Sequence, residues 1–244
     1  MARGTRLLTK VFSPVLSPRS GPGRAASLIR EGNEALRDGD LAAALKAYNA
    51  ALDEDPENAF AWNNKGLVLE TLGRVEEALR CHNRAIKLRP NYVEAWVNKG
   101  VALLHMGNFD RAKAALDVAL ELAPSHELVW SNRGILFGRQ GNYQEALTCF
   151  ERALEADADY APALMNKGSA LAQLGRYDDA IDCYNGVLQK RPDFADAWFH
   201  KGRVLLEAGR PKASILCFEK ALEFSPRFEA ARDLLAQARA QGAD

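Results

Sequence analysis

The stretch AWVNKG at residues 95–100 decides the fold, because the chain repeats it at a fixed interval. The equivalent stretches are AWNNKG at 61–66, VWSNRG at 129–134, ALMNKG at 163–168 and AWFHKG at 197–202. Each of them begins 34 residues after the one before it. Self-similarity at a fixed period of this length is the sequence mark of stacked structural repeats. The chain is therefore predicted to be an array of 34-residue units.

Six units fit one register in which the glycine of the repeated stretch stands at position 8. They span 25–58, 59–92, 93–126, 127–160, 161–194 and 195–228. Position 15 is glycine in every unit, and position 32 is proline in five of the six. Glycine favours the left-handed end of a helix, and proline cannot continue one. Each unit is therefore predicted to be a helix A over about positions 2–14 and a helix B that ends before position 32.

This pattern resembles the tetratricopeptide repeat family over residues 25–228. The resemblance implies an all-α fold, a right-handed superhelix (α-solenoid) of six antiparallel helix hairpins. Small residues at positions 8, 20 and 27 are expected to bring the two helices together, and large ones at positions 4 and 24 to fill the core. The tryptophans at position 4 are interpreted as core residues. Segment 229–244 is predicted to be a capping helix and tail that covers the last exposed face.

A helical wheel places position 6 of helix A on the face opposite the core, which is expected to line the concave groove of the array. This position is asparagine in Asn64, Asn98, Asn132 and Asn166. Apolar residues predicted on the same face are Leu67, Val97, Val101, Leu104, Ile135, Met165 and Phe199. An amide both donates and accepts hydrogen bonds, which suits the backbone of an extended peptide. Together these residues form the predicted peptide-binding site.

The asparagine column is similar to the one in the repeats of O-linked N-acetylglucosamine transferases. That resemblance implies that the asparagines hold the backbone of a partner peptide. The alternative is that each asparagine forms hydrogen bonds within its own hairpin. A chaperone-binding carboxylate clamp is disfavoured: Asn33 and Asn64 match its pattern, but Ile29 and Glu94 stand where it requires cations.

The predicted function is a non-catalytic protein–protein interaction scaffold or adaptor that binds a partner peptide or helix in the concave groove. Two alternatives stay open: a self-associating assembly platform, and a substrate-positioning subunit of a separate transferase. The sequence contains none of the phosphate-cradling, HExxH or GxSxG motifs that mark common enzyme classes. We expect no enzymatic activity and no cofactor. A homo-oligomer is possible.

The cysteines and histidines do not form a predicted metal site. Cys81, Cys149, Cys183 and Cys217 all occupy position 23 of their units. Equivalent atoms of stacked helices are about 8–10 Å apart, too far for a disulfide, so buried thiols are expected. The four histidines fall at four different repeat positions. The cations at position 7 are expected to extend along the core edge and pair with neighbouring acids.

Charge and targeting signals are confined to the N-terminal segment. The whole chain has 32 basic and 32 acidic residues, which gives no reason to expect nucleic-acid binding. Residues 1–24, by contrast, contain five basic residues and no acid. This segment is predicted to be a disordered basic tail, or alternatively a mitochondrial presequence or membrane-surface anchor. A cytoplasmic location is favoured, and no transmembrane segment is expected because no apolar run is long enough.

Overall fold

The computed structural model describes residues 23–242 and confirms the all-α class within that range. Its helices are α1 (Arg24–Arg37), α2 (Leu41–Glu54), α3 (Ala59–Thr71), α4 (Val75–Leu88), α5 (Val93–His105), α6 (Phe109–Leu122), α7 (Glu127–Arg139), α8 (Tyr143–Ala156), α9 (Ala161–Gln173), α10 (Tyr177–Lys190), α11 (Ala195–Glu207), α12 (Pro211–Phe224) and α13 (Glu229–Gln241). Odd-numbered helices from α1 to α11 are the predicted A helices, and even-numbered ones are the B helices. The described chain forms two compact units, 23–132 and 133–242.

The turn between helix A and helix B follows the same design in every repeat. The glycine at position 15 has a positive φ, between 72° and 83°, in all six repeats. This left-handed conformation is strained for other residue types and ends helix A cleanly. Helix B then begins after a short turn, and in α2 the Asp40 side chain accepts a hydrogen bond from the Ala43 backbone N–H. This turn therefore sets where helix A ends and helix B begins.

Close packing within each hairpin depends on the glycine at position 8 and the large residue at position 24. Gly32 lies against Tyr48, and Gly134 lies against Phe150. A Cβ atom built on either glycine would come within 2.7 Å or less of the facing ring. Such distances are shorter than any real carbon contact, so only glycine allows the rings to fill this space. The predicted packing role of positions 8 and 24 agrees with this geometry.

The tryptophans at position 4 join consecutive repeats, a role that the core interpretation missed. Their indole Nε1–H groups donate to the carbonyl oxygen of the proline that ends the preceding repeat, at 2.7–2.9 Å. The four pairs are Trp62 with Pro56, Trp96 with Pro90, Trp130 with Pro124, and Trp198 with Pro192. The rings are half-buried. An indole buries its apolar body and keeps a polar edge for this bond, which a phenyl ring could not do.

The cations at position 7 mostly cover these indole rings instead of pairing with acids. The Lys65, Lys99 and Lys201 ammonium groups lie 4.8–5.2 Å from the ring centroids of the tryptophans three residues before them. Lys167 follows a leucine in place of tryptophan, and its ammonium pairs with Glu151 at 3.1 Å. The expected acid pairing therefore holds at Lys167, whereas Lys65, Lys99 and Lys201 lie over tryptophan rings.

The last helix, α13, covers the apolar end of the final hairpin. Leu235 and Ala238 of α13 pack against Phe218 of α12, which is fully buried. This helix occupies the segment predicted to be a cap. At the other end, α1 begins at Arg24, whose guanidinium lies 3.3 Å from the Glu54 carboxylate. The predicted roles of residues 1–22 lie outside the described residues. Across residues 23–242, no helix has the length and apolar character needed to span a membrane.

Candidate functional site: the A helices

The asparagine column of the A helices is buried, which corrects the expectation that it lies open to a groove. Asn64 and Asn166 have no exposed surface, Asn132 is 1% exposed and Asn98 is 6% exposed. The amides do not lack partners, because each is hydrogen-bonded within the protein, as buried amides must be. Their role in partner binding stays a prediction, but in this structure they offer no surface to a ligand.

In the first two asparagines of the column, the hydrogen bonds run between consecutive repeats. The Asn64 amide donates to Asn33 Oδ1 at 3.0 Å, and the Tyr48 hydroxyl donates to the same oxygen at 2.7 Å. In the next repeat, the Asn98 amide donates to Asn63 Oδ1 at 3.0 Å. Asn64 and Asn98 thus connect α3 to α1 and α5 to α3.

The amide nitrogens of the other two asparagines donate to carbonyl groups of their own helices. The Asn132 amide donates to the Leu128 carbonyl at 2.9 Å, and the Asn166 amide donates to the Pro162 carbonyl at 2.9 Å. Both acceptors lie four residues earlier, which is the usual back-bonding geometry of a short polar side chain in a helix. These contacts agree with the alternative interpretation, in which the asparagine bonds within its own hairpin.

The apolar residues predicted to line the groove are buried as well. Their exposure is 1–5% for Leu67, Val97, Val101, Leu104, Ile135 and Met165. The physical reason is that consecutive A helices pack side by side: α3 packs against α5 within residues 23–132, and α9 packs against α11 within residues 133–242. A helical wheel identifies the face but cannot show that a neighbouring helix covers it. Of the predicted site residues, Phe199 alone is half-buried, and its ring packs 4.6 Å from the Phe228 ring.

Exposed side chains occur where the A helices end and in the residue that follows. Thr71 and Leu72 are exposed at the end of α3, and Met106 is exposed at the end of α5. The apolar side chains of Leu72 and Met106 are 43% and 45% exposed, respectively, and Leu174 in the second unit is 40% exposed. We call Thr71, Leu72, His105 and Met106 the helix A edge. The sequence signal was an apolar residue directly before the glycine of position 15.

An imidazole–carboxylate contact connects the helix A edge to the interior. The His105 Nδ1 atom is 2.9 Å from Glu70 Oε1, and the Glu70 side chain is only 1% exposed. His105 is one-quarter exposed, so the pair connects the edge to the interior between α3 and α5. Burying a carboxylate away from water costs free energy unless a hydrogen-bond donor faces it. This contact joins α3 to α5, the A helices of adjacent repeats.

Two buried histidines belong to the core. Burial lowers the pKa of both His82 and His200 to about 3, so both rings are neutral at pH 7. The His82 Nδ1 atom faces Asn63 Oδ1 at 3.0 Å, and the His200 ring stacks on Tyr184 with centroids 5.9 Å apart. A neutral, enclosed imidazole that serves as packing is unsuited to acid–base work at neutral pH.

Three of the four cysteines agree with the expectation of buried thiols. Cys81, Cys149 and Cys217 are buried, and Cys183 is half-buried. Burial raises the pKa of the Cys149 and Cys183 thiols to about 11, so the reactive thiolate is scarce at pH 7. Among residues 23–242 no group of three or more histidine, cysteine, aspartate or glutamate side chains could hold a metal ion.

Comparison with solved structures places the fold among known repeat proteins. The APC/C hetero-tetramer Cut9–Hcn1 superposes with a TM-score of 0.76 at 23% identity, covering 88% of this chain and 42% of that one. The type IV pilus biogenesis factor PilW has a TM-score of 0.76 at 20% identity, covering 88% of this chain and 100% of that one. YrrB, described as a TPR protein with an unusual peptide-binding site, has a TM-score of 0.54 at 22% identity, covering 78% and 97%.

Comparison with protein-family models agrees with the comparison with solved structures. This chain spans less than half of the Cut9–Hcn1 chain that it matches. No curated protein sequence matches it. Two family models, both described as tetratricopeptide repeat, do match, one over residues 29–80, 132–193 and 172–227 and the other over 57–125 and 91–159. Since the matches together cover most of the chain, the chain belongs to the tetratricopeptide repeat family.

Proposed function

We propose that the chain is a non-catalytic scaffold that holds a segment of a partner protein against its A helices. Tetratricopeptide repeat proteins are in general protein-interaction modules. The observation that carries the proposal is the set of six hairpins in one register, each with a filled core and different side chains at its exposed positions. A rigid framework with variable surface positions is what a recognition surface requires.

The predicted groove residues take a different part in this proposal from the one first expected. Because Asn98 and Val101 are buried, they form the packed wall behind the binding surface and do not contact the partner. The contact surface is then the helix A edge, where Leu72 and Met106 offer apolar area in adjacent repeats. Apolar anchors supply binding energy, whereas a few backbone hydrogen bonds alone do not offset the cost of association.

The partner in this proposal is an extended or helical segment, not a whole globular surface. The two anchors belong to consecutive repeats and are separated by 34 residues in sequence. A peptide-sized partner is also in keeping with YrrB, the fold neighbour described as having a peptide-binding site. The expected affinity is modest, in the micromolar range or about −8 kcal/mol.

Site-specific photo-cross-linking tests the location of the partner. A photoreactive phenylalanine analogue is introduced at Thr71, and at Asn83 in a matched control; both positions are exposed and lie in the same repeat. We expect cross-links to one partner species from Thr71 and none to it from Asn83. Equal labelling from both positions, or no specific product from Thr71, would contradict the proposed surface.

A further inference from the structure

A cleft lined by residues of α3 and α4 differs in chemistry from the helix A edge. Its volume is about 410 Å³, and its floor is formed by the nearly buried Leu69 and Cys81. Trp62 forms one wall with a half-buried ring. The cleft therefore combines an apolar floor with an aromatic surface, the usual anchoring features of a recognition pocket.

The rim of this cleft is positively charged. Lys65, Arg80 and Arg84 line it together with one acid, Glu77. Glu77 is already paired with a residue that does not line the cleft. The Arg74 guanidinium donates two hydrogen bonds to its carboxylate, at 2.6 and 2.8 Å. The Arg74 guanidinium holds the pKa of Glu77 below its ordinary value, so this acid stays ionised and paired. Because Glu77 is paired with Arg74, it neutralises little of the charge of Arg80 and Arg84, whereas the Lys65 ammonium lies over the Trp62 ring.

This charge is specific to the second repeat. Residues 59–92 contain six basic and three acidic residues, a net charge of +3, and no other repeat exceeds +2. Only this repeat has cations at positions 7, 22 and 26 together. At position 26, Arg152 and Lys220 also carry charge, but each pairs with an acid three residues later, Glu155 and Glu223 respectively. The cluster is therefore a local feature, not a consequence of the repeat pattern.

We propose that this cleft binds an acidic segment of a partner protein, with two or more carboxylates on the arginines and one apolar side chain against Trp62 and Leu69. Guanidinium groups match carboxylates with paired hydrogen bonds. A nucleic acid fits less well, because its affinity grows with the number of phosphates neutralised and this cleft offers only three lining cations. Residues 25–244 also carry 27 basic and 32 acidic groups, a net charge of −5, which would repel a long polyanion.

The test uses the full chain and a short fluorescein-labelled peptide of aspartate and glutamate with one central phenylalanine. The comparison peptide replaces the acids with asparagine and glutamine, and a short oligothymidylate represents nucleic acid. Fluorescence anisotropy should show binding of the acidic peptide only. The Arg80→Gln, Arg84→Gln double variant should bind about tenfold more weakly, since two partly exposed ion pairs are lost. The matched control Arg152→Gln should bind normally.

A second measurement locates the peptide. The acidic peptide contains no tryptophan, so its binding should change the intrinsic tryptophan emission, and Trp62→Phe should remove most of that change. Normal binding by the double arginine variant would overturn the proposal, as would binding of oligothymidylate as tight as that of the acidic peptide. Self-association of the chain that disappears in the double variant would also overturn it, because the occupant would then be a second copy. These outcomes do not depend on the helix A edge.

Discussion

At the residue scale, Asn98 should contribute to stability. Its amide donates to Asn63 Oδ1, which also faces His82 Nδ1, so the three side chains form one buried network. Asn98→Ala leaves the Asn63 oxygen with one donor fewer in a dry site. We expect the free energy of unfolding in urea to fall by about 1–3 kcal/mol. The control Asn83→Ala changes an exposed residue of α4 and should have little effect. Equal stabilities of the two variants would show that the Asn98 hydrogen bond does not stabilise the fold.

His82 should make stability depend on pH. Burial lowers its folded-state pKa from 6.5 to about 3, so the folded protein favours the neutral ring. Its contribution is complete above pH 6.5 and is lost as the pH falls towards 3, because the unfolded chain takes up the proton first. Between pH 7 and pH 5 this amounts to about 2 kcal/mol. His82→Leu should reduce the pH dependence of the unfolding free energy by that amount. The same pH dependence in both proteins would contradict the assignment.

The asparagine column shows what residue patterns can and cannot predict. Its period and its place on helix A were predictable, because a 34-residue repeat fixes equivalent positions. Its burial was not, since the wheel angle of Asn98 says nothing about the distance to the next A helix. The exposed residues Leu72 and Met106 directly follow the last residues of α3 and α5, and a helical wheel does not predict exposure there. The basic rim of Arg80 and Arg84 also required the structure, which brings α3 and α4 together.

At the scale of the helix, Gly186 in α10 should be replaceable. It has no positive φ, and a Cβ atom built on it would lie 3.7 Å from the nearest atom, Leu164 Cδ1, at ordinary contact distance. Gly186→Ala should raise the free energy of unfolding by about 0.5–1 kcal/mol, because alanine loses less backbone entropy. Gly175→Ala is the matched control: its φ of +74° makes it a left-handed position, so it should destabilise. Chemical denaturation measures both. Destabilisation by Gly186→Ala would mean that α10 is not an ordinary helix there.

Helix boundaries were predictable because they depend on local chemistry. The glycine of position 15 ends each A helix with its positive φ. The proline of position 32 favours the end of helix B, but α8 ends at the same position with Ala158 in its place. The link from Trp96 to Pro90 was not predicted, although both residues belong to the repeat pattern. It joins a side chain in one repeat to a backbone oxygen at the end of the preceding repeat, and period alone does not reveal which groups meet.

At the scale of the whole molecule, α13 should prevent the last hairpin from exposing its core. Leu235 is 8% exposed and packs on Phe218. Leu235→Asp places a charge in that contact and should lower the melting temperature by about 5 °C or more. It should also cause association that rises with concentration, visible by light scattering. The control Gln237→Asp changes an exposed residue of the same helix and should do neither. A normal melting temperature for Leu235→Asp would show that the cap is dispensable.

The scaffold proposal is tested most directly by calorimetric titration of the cross-linked partner, once identified, into three forms of the full chain. They are the wild type, the Leu72→Ser, Met106→Ser double variant, and Leu122→Ser, which alters a leucine of similar exposure at the end of α6. We predict that the double variant binds about tenfold more weakly, because two apolar anchors are lost, while Leu122→Ser binds like the wild type. Unchanged affinity in the double variant, or an equal loss in Leu122→Ser, would contradict binding at the helix A edge.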